Sequence, residues 1–308
     1  MTGVPRFFDK LHARVLEGVS KASTIKQRLF QWALGVGLVR TRAELQSQQP
    51  SLAIRLQNIV ADRLVFSKIR ERTGGRLRFV VSGGAPLSVA VGEFFFAIGV
   101  PVLEGYGLTE TAPVLTVNSE HHPRLGTVGK ALPRVELRIA ADGEIMARGP
   151  NLMLGYYKKP EATAEVMRDG WFYTGDIGEL DEDGYLHITD RKKELLVTSS
   201  GKNIAPQPIE QRLKQNPLVS EAVLVGDRRQ FVSALIVPDL VEVKARVLPD
   251  HDSDVAILLE RQDVRALFEN VVQGVNTGLP SYEQIKKFAL LDAEFSVASG
   301  ELTPTLKI

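Results

Sequence analysis

Three short stretches gather the residue types that handle phosphates, carboxylates and flat rings. Ser82-Gly83-Gly84-Ala85-Pro86-Leu87 puts two glycines where the run RLRFVV at 76–81 stops. Backbone without Cβ atoms lets a flat ligand lie close, and the proline suits the first turn of a following helix. Glu104-Gly105-Tyr106-Gly107-Leu108-Thr109-Glu110-Thr111 sets an aromatic ring between glycines. Both faces of Tyr106 are then expected to be uncovered and able to stack a purine. Thr109 offers a hydroxyl to a phosphate or carboxylate oxygen, and Glu110 a hard oxygen of the kind that Mg2+ takes. In Tyr173-Thr174-Gly175-Asp176 a glycine again brings backbone close to a ligand, and a carboxylate follows at once. By spacing alone, each stretch reads equally well as a tight or exposed turn.

These stretches need elements that position them. A strand at 76–81, a buried helix at 88–98 and a strand at 101–103 make a β-α-β crossover, which predicts a parallel α/β sheet with a right-handed connection. Ligands of open α/β sheets collect outside the carboxyl ends of strands, and both glycine stretches fall there. Between 126 and 148 the pattern turns to β: Val135, Leu137 and Ile139 alternate with charged residues, and Asp142-Gly143 turns the chain, as in a small barrel or sheet. A second hairpin is predicted about Asp183-Gly184, ending in the charged run Asp190-Arg191-Lys192-Lys193-Glu194, which reads as a hinge. Leu195-Leu196-Val197 then reads as a buried strand and TSSGKN at 198–203 as a mobile loop.

Ahead of all this, residues 4–74 carry apolar residues at helical spacing, among them Leu52, Leu56, Ile59, Val60 and Ile69, interleaved with Lys10, Arg14, Lys21, Lys26 and Arg28. Solvated helix faces explain the basic residues, and a peripheral membrane-facing surface is the alternative. Toward the other end, a helix at 206–215, strands at 221–226 and 231–237, helices at 241–246 and 264–276 and a strand at 286–291 describe a small α+β domain. His121 and His122 sit in a polar connector with no further ligand at metal spacing.

With 308 residues and 44% hydrophobic residues the chain has room for two or three domains. Its 38 basic and 37 acidic residues leave a charge of +1, which gives no whole-molecule attraction to nucleic acid or to an anionic membrane. Absence of cysteine excludes disulfides, thiolate metal sites and a cysteine nucleophile. The longest apolar run, 94–103, is too short to span a bilayer, and MTGVPRFFDK lacks a signal-peptide layout. The expectation is a soluble cytoplasmic protein.

The stretch DGWFYTGDIGELDEDGYLHITDRKKELLVTSSGKNIAP at 169–206 resembles the junction between the large and small domains of the acyl-adenylate-forming enzymes. DRKKELLVTSSGKNIAP is most similar to the long-chain fatty acyl-CoA synthetases, and the closing GELTPTLK matches the family's last motif. The resemblance implies an ATP-dependent ligation in which a fatty acid is adenylated and coenzyme A then displaces AMP. It implies that Gly83, Gly84 and Tyr106 hold adenine, with Ala85, Gly105 and Gly107 also binding the nucleotide cofactor, that Thr109 contacts acyl-phosphate oxygens and Glu110 the metal, and that Asp176 and Arg191 grip the ribose. It further implies Lys307 as the ammonium that bridges carboxylate and phosphate, Lys193 as the pivot of a rotating small domain, and Gly201 in the loop lining the pantetheine tunnel.

The implied fold class is α/β: residues 1–118 as the C-terminal part of a large adenylate-binding domain, 119–190 as a β-rich subdomain, and 191–308 as a small mobile α+β domain hinged near 190–194. The family's Ser/Thr/Gly-rich phosphate loop has no counterpart before Ser82. The chain therefore resembles the C-terminal half of a synthetase, and a weak or inactive ligase is expected in isolation. A non-catalytic module binding AMP or an acyl-adenylate, and another acid-thiol ligase of the superfamily, are the alternatives.

Overall fold

A computed structural model describes residues 1–247, 255–296 and 298–300. The chain divides into two compact units, Met1–Ile188 and Thr189–Ile308.

The first unit opens with strand β1 (Thr2–Gly3) and a run of helices: α1 (Pro5–Ser20), α2 (Thr24–Leu45), α3 (Leu52–Ala61), a π-helical turn at Asp62–Phe66 and α4 (Ser67–Glu71). Proline in the first turn starts α1, and the Ser51 hydroxyl caps α3 by accepting from the Ile54 amide. Next come β2 (Val80–Ser82), α5 (Val89–Ala97) and β3 (Val102–Tyr106), with β2 and β3 parallel as expected of the crossover. Strands β4 (Thr116–Val117) and β5 (Lys130–Ala131) continue the sheet in the order β1-β2-β3-β4-β5. Phe8, Phe30, Phe66, Phe94 and Phe95 fill the core between helices and sheet, with Phe94 and Phe95 edge-to-face.

An antiparallel sheet follows, built from β6 (Glu136–Ile139), β7 (Glu144–Arg148), helix α6 (Pro160–Val166), β8 (Met167–Arg168), β9 (Trp171–Leu180) and β10 (Leu186–Arg191), with strand order β10-β9-β7-β6. The predicted turns are present, and Gly143 and Gly184 hold left-handed φ of 85° and 82° that a Cβ would disfavour.

In the second unit β11 (Leu196–Val197) pairs with β12 (Asn203–Ile204), and α7 (Pro206–Lys214), β13 (Val219–Val225), β14 (Val232–Pro238), α8 (Leu240–Val247), α9 (Val255–Glu260), α10 (Gln262–Asn276) and β15 (Ile285–Leu290) complete it. β13 and β14 are antiparallel and β14 and β15 parallel, so the sheet alternates its inward residues Ala222, Leu224, Ala234 and Ile236 against Ile209, Leu213, Val264 and Phe268 of the helices. Each large side chain buried here stabilises the unit by about 1.5–3 kcal/mol relative to exposure.

Two expectations are corrected. The run at 76–81 is a strand only from Val80, because Arg76, Arg78 and their neighbours remain at the surface. Leu195-Leu196-Val197 is a two-residue strand rather than a buried one; Val197 is 42% exposed. The helical spacing of Leu52, Leu56 and Ile59 is matched by α3, in which these residues are 76%, 66% and 63% exposed.

Both tryptophans, Trp32 and Trp171, lie in the first unit. Replacing the fully buried Phe268 by alanine is therefore expected to remove about 3–5 kcal/mol from the second unit. Urea titration followed by circular dichroism should show an early transition that tryptophan emission does not report. An equal shift of both signals would mean that the two units unfold together.

Candidate functional site

The parallel register sets Val80 opposite Val102 and Ser82 opposite Glu104, so the two glycine stretches emerge side by side from adjacent strands. A Cβ built on Gly83 would come 3.2 Å from the Gly105 carbonyl oxygen, so the two backbones touch at this edge. Gly84, with φ of 86°, and Ala85 and Pro86 stand exposed beyond it. Gly107 is glycine because there is no room for anything else: a Cβ there would overlap the Pro113 carbonyl oxygen at 1.8 Å. The strand runs on through Tyr106, so Glu104 and Gly105 are strand residues rather than part of a turn.

Tyr106 is not the bare platform expected from its glycine neighbours. It is 9% exposed and packs with Leu115, Ile145, Ala147 and Leu186, because β3 lies against the antiparallel sheet. Its hydroxyl donates to Asp176 Oδ2 at 2.7 Å across 70 residues of sequence, which joins two of the three stretches.

Asp176 owes its position to an irregularity in β9. Met146 of β7 pairs with Tyr173 and Glu144 with Ile177, so two residues of β7 face four steps of β9. The surplus lies at Thr174-Gly175-Asp176, where Gly175 takes a φ of 74°. Such a bulge re-aims side chains. Gly175 N–H donates to Glu144 Oε1 at 2.8 Å and the Thr174 hydroxyl to the Ile145 carbonyl at 2.8 Å, so both sides of the bulge are fastened to β7.

Thr109 and Glu110 lie in a single 3-10 turn, Thr109–Thr111, that follows β3. Thr109 is exposed. Tyr156 donates its hydroxyl to Glu110 Oε1 at 3.0 Å, while the Met153 amide donates to the Glu110 carbonyl at 2.8 Å. Burial, and then the hydrogen bond to Glu110 and its charge, hold the Tyr156 pKa above its ordinary value. Among the described residues no cluster of three or more His, Cys, Asp or Glu side chains could hold a metal by itself. One carboxylate is still the donor set of an ion that keeps its waters and takes substrate phosphates as further ligands.

Sequence reasoning missed Glu104. The residue is 6% exposed, and its carboxylate accepts from the Leu87 amide at 3.1 Å and from the Gly126 amide. It thereby ties the far end of the Ser82–Leu87 stretch to its own strand. Burial pushes its pKa up to about 7, against the two backbone donors that lower it. The available signal was a lone charge within the otherwise apolar VLEGY. Beside it, the Ser82 hydroxyl is buried without a hydrogen-bond partner at the mouth of the glycine stretch.

In the second unit Arg191 lies second in the charged run, and its carbonyl accepts from the Glu194 and Leu195 amides at 2.9 and 3.1 Å. Asp190, 1% exposed, accepts from the Gln207 amide at 3.1 Å in the first turn of α7. Lys193 is exposed. In the loop at 198–203 Thr198 and Lys202 exchange hydrogen bonds, Ser199 N–H donates to the Arg229 carbonyl at 2.9 Å, and Gly201 takes a φ of 76°. Lys307 lies outside the described residues.

The family model described as AMP-binding enzyme matches residues 1–157, and that described as AMP-binding enzyme C-terminal domain matches 193–299. The chain is 40% identical over 311 residues to the long-chain-fatty-acid–CoA ligase FadD15 of Mycobacterium bovis, covering 100% of this chain and 51% of that protein. With the human long-chain-fatty-acid–CoA ligase ACSBG1 the identity is 32%, over 99% of this chain and 45% of that protein. The structure of O-succinylbenzoate coenzyme A synthetase from Bacillus subtilis with ATP and magnesium superposes with a TM-score of 0.55 at 27% identity, over 80% of this chain and 51% of that one. The chain thus spans about half the length of the curated relatives it matches.

Because the Glu104 pKa in the folded protein lies above the ordinary 4.5, the folded state keeps a proton that the unfolded state has lost between about 4.5 and 7. Stability contributed by this proton is complete below pH 4.5 and disappears as pH rises through 7. Glu104→Gln should therefore gain on the order of 3 kcal/mol relative to the native chain on going from pH 4.5 to pH 8. Chemical denaturation at the two pH values measures the difference; a gap that does not change with pH would refute the buried-carboxyl assignment.

Proposed function

We propose, from the premise that this chain belongs to the AMP-binding enzyme family, that it is the nucleotide-gripping and C-terminal portion of a long-chain fatty acid:CoA ligase. The observation that carries the reading is the 2.7 Å hydrogen bond that brings Tyr106 and Asp176 together from separate sheets beside the glycine edge. A carboxylate held by a tyrosine hydroxyl next to bare backbone suits the sugar and base of a nucleotide.

In the proposed reaction the fatty acid carboxylate attacks the α-phosphorus of ATP, and the bond to the β-phosphate oxygen breaks to release pyrophosphate. The thiol of coenzyme A then attacks the acyl carbonyl and AMP leaves. Gly83, Gly84, Ala85 and Gly105 offer the close backbone edge against which adenine lies, and Gly107 lets the following turn approach it. Asp176 accepts from the ribose hydroxyls, which fixes the nucleotide for in-line attack. Thr109 donates to the oxygens that gather charge, and Glu110 would hold a magnesium ion, which would supply positive charge to offset that of the phosphates.

From the second unit Arg191 adds a donor for the ribose, and Lys307 the ammonium that draws the two anions together. Lys193 is the pivot by which the groups for adenylation are exchanged for those of thioester formation, with Gly201 leaving space for the pantetheine arm. Residues 191–308 act as the mobile domain and 119–190 as the β-rich platform behind the nucleotide. The substrates ATP and coenzyme A are cytoplasmic, and a chain without cysteine accords with that compartment.

The test is pyrophosphate exchange. The chain alone should exchange poorly, and co-expression with a polypeptide covering the remaining half of the relatives' length should restore it. Robust exchange by the chain alone, or none in the pair, would overturn the reading; nucleotide binding with no exchange in either case would favour a non-catalytic module. In the active pair, Asp176→Ala should weaken nucleotide binding by roughly 10–100-fold, the worth of a hydrogen bond to a charged group. Lys193→Pro should spare exchange and depress acyl-CoA formation; equal loss of both half-reactions would end the pivot assignment.

A further inference from the structure

The side chains that fasten the bulge in β9 stand in for a broken ladder. β7 and β9 pair at Met146 with Tyr173 and again at Glu144 with Ile177, so Ile145 alone faces Thr174, Gly175 and Asp176. A bulge leaves its surplus residues without ladder partners, and a buried backbone group must find a partner elsewhere. These positions lie away from water: Glu144, Thr174 and Asp176 are 6%, 8% and 6% exposed. Two side chains take over from the ladder. The Glu144 carboxylate accepts from the Gly175 amide at 2.8 Å. The Thr174 hydroxyl donates to the Ile145 carbonyl at 2.8 Å and accepts from the Asp176 amide at 3.2 Å, so it joins β7 to the backbone of Asp176 itself. The Asp176 carboxylate meanwhile accepts from Tyr106 of β3. Side chain and backbone of this one residue are thus held from two different strands.

We infer that Glu144 and Thr174 are positioning residues for nucleotide binding: they aim Asp176 at the ribose and so set the preference for a sugar that carries both of its hydroxyls. Both act through Asp176. A charged acceptor makes the shorter and stronger kind of hydrogen bond, and the one at Glu144 restrains Gly175, whose φ of 74° lies where the chain is freest to turn. Without that restraint the carboxylate that follows at once in sequence loses its aim. Misplacement by about 1 Å can cost on the order of 100-fold where contacts must be aligned. The inference rests on the proposed contact between Asp176 and the ribose, and it goes further by assigning the geometry of that contact to a strand neighbour and to the bulge itself.

The test compares AMP with its dideoxy analogue, which lacks both ribose hydroxyls, by titration calorimetry on the 308-residue chain. The native chain should bind AMP about ten-fold or more tightly than the analogue, the size of a hydrogen bond to a charged group. Asp176→Ala should remove that preference. Glu144→Ala and Thr174→Val should erase most of it by weakening AMP alone, and adding either change to Asp176→Ala should cost nothing further, as expected of residues that act through one another. Glu144→Gln keeps an acceptor and Thr174→Ser a hydroxyl, so both should retain the native preference. A side chain that serves stability alone would weaken both nucleotides by the same factor and leave their ratio as it was. That result, or a Glu144→Gln variant as poor as Glu144→Ala, would overturn the inference while the loss in Asp176→Ala still supported the ribose contact. An unchanged ratio in Asp176→Ala, or no AMP bound by the native chain, would overturn the ribose contact and the inference together. Should Glu144→Ala fail to fold, Thr174→Val, which keeps the shape of its side chain, decides the matter.

Discussion

The hydrogen bond from Tyr106 to Asp176 imposes the constraint around which the first unit is arranged. Asp176 is 6% exposed, and a carboxylate so far from water must find donors. Tyr106 supplies one only if β3 and β9 are brought face to side, and β9 aims Asp176 correctly only because the surplus residues at Thr174-Gly175-Asp176 bend it. A carboxylate has about four acceptor positions. The phenol hydroxyl of Tyr106 holds one of them and so fixes the orientation of the carboxylate.

Glu104 does comparable work on the neighbouring strand at a different cost. Its pairing register with Ser82 makes the glycine edge, and its carboxylate holds the far end of that edge through Leu87. Two neutral backbone donors do not compensate the loss of water as an opposite charge would, so its pKa rises rather than falls.

Most elements could be read from residue order, because each carries a local signal. Asp142-Gly143 and Asp183-Gly184 mark turns that only positive φ allows, and prolines mark the starts of α1, α6 and α7. The crossover around α5 followed from an apolar helix between two short apolar runs. The bulge at Gly175 and the burial of Tyr106 did not, since both depend on which distant strand lies alongside. Glycine on either side of Tyr106 described how little the backbone covers, not what β7, β10 and the segment after Thr111 place over the ring. α9 was missed because six residues are too few to show a period.

The same limit explains why apolar periodicity finds the helices α3 and α10 but does not tell which face is buried. Val264, Phe268, Val271 and Val272 recur as Leu52, Leu56, Ile59 and Val60 do, and only the first set is buried. The difference lies on the other side of each helix. Across α10 from its stripe stand Glu269 and Gln273, so one face is plainly the outer one. α3 has Ile54 and Ala61 opposite its stripe, and the whole of its outward face is broken only by Arg55 and Gln57. A helix that is apolar on two faces needs two apolar neighbours. The described residues supply one of them, through Ile54 and Ala61.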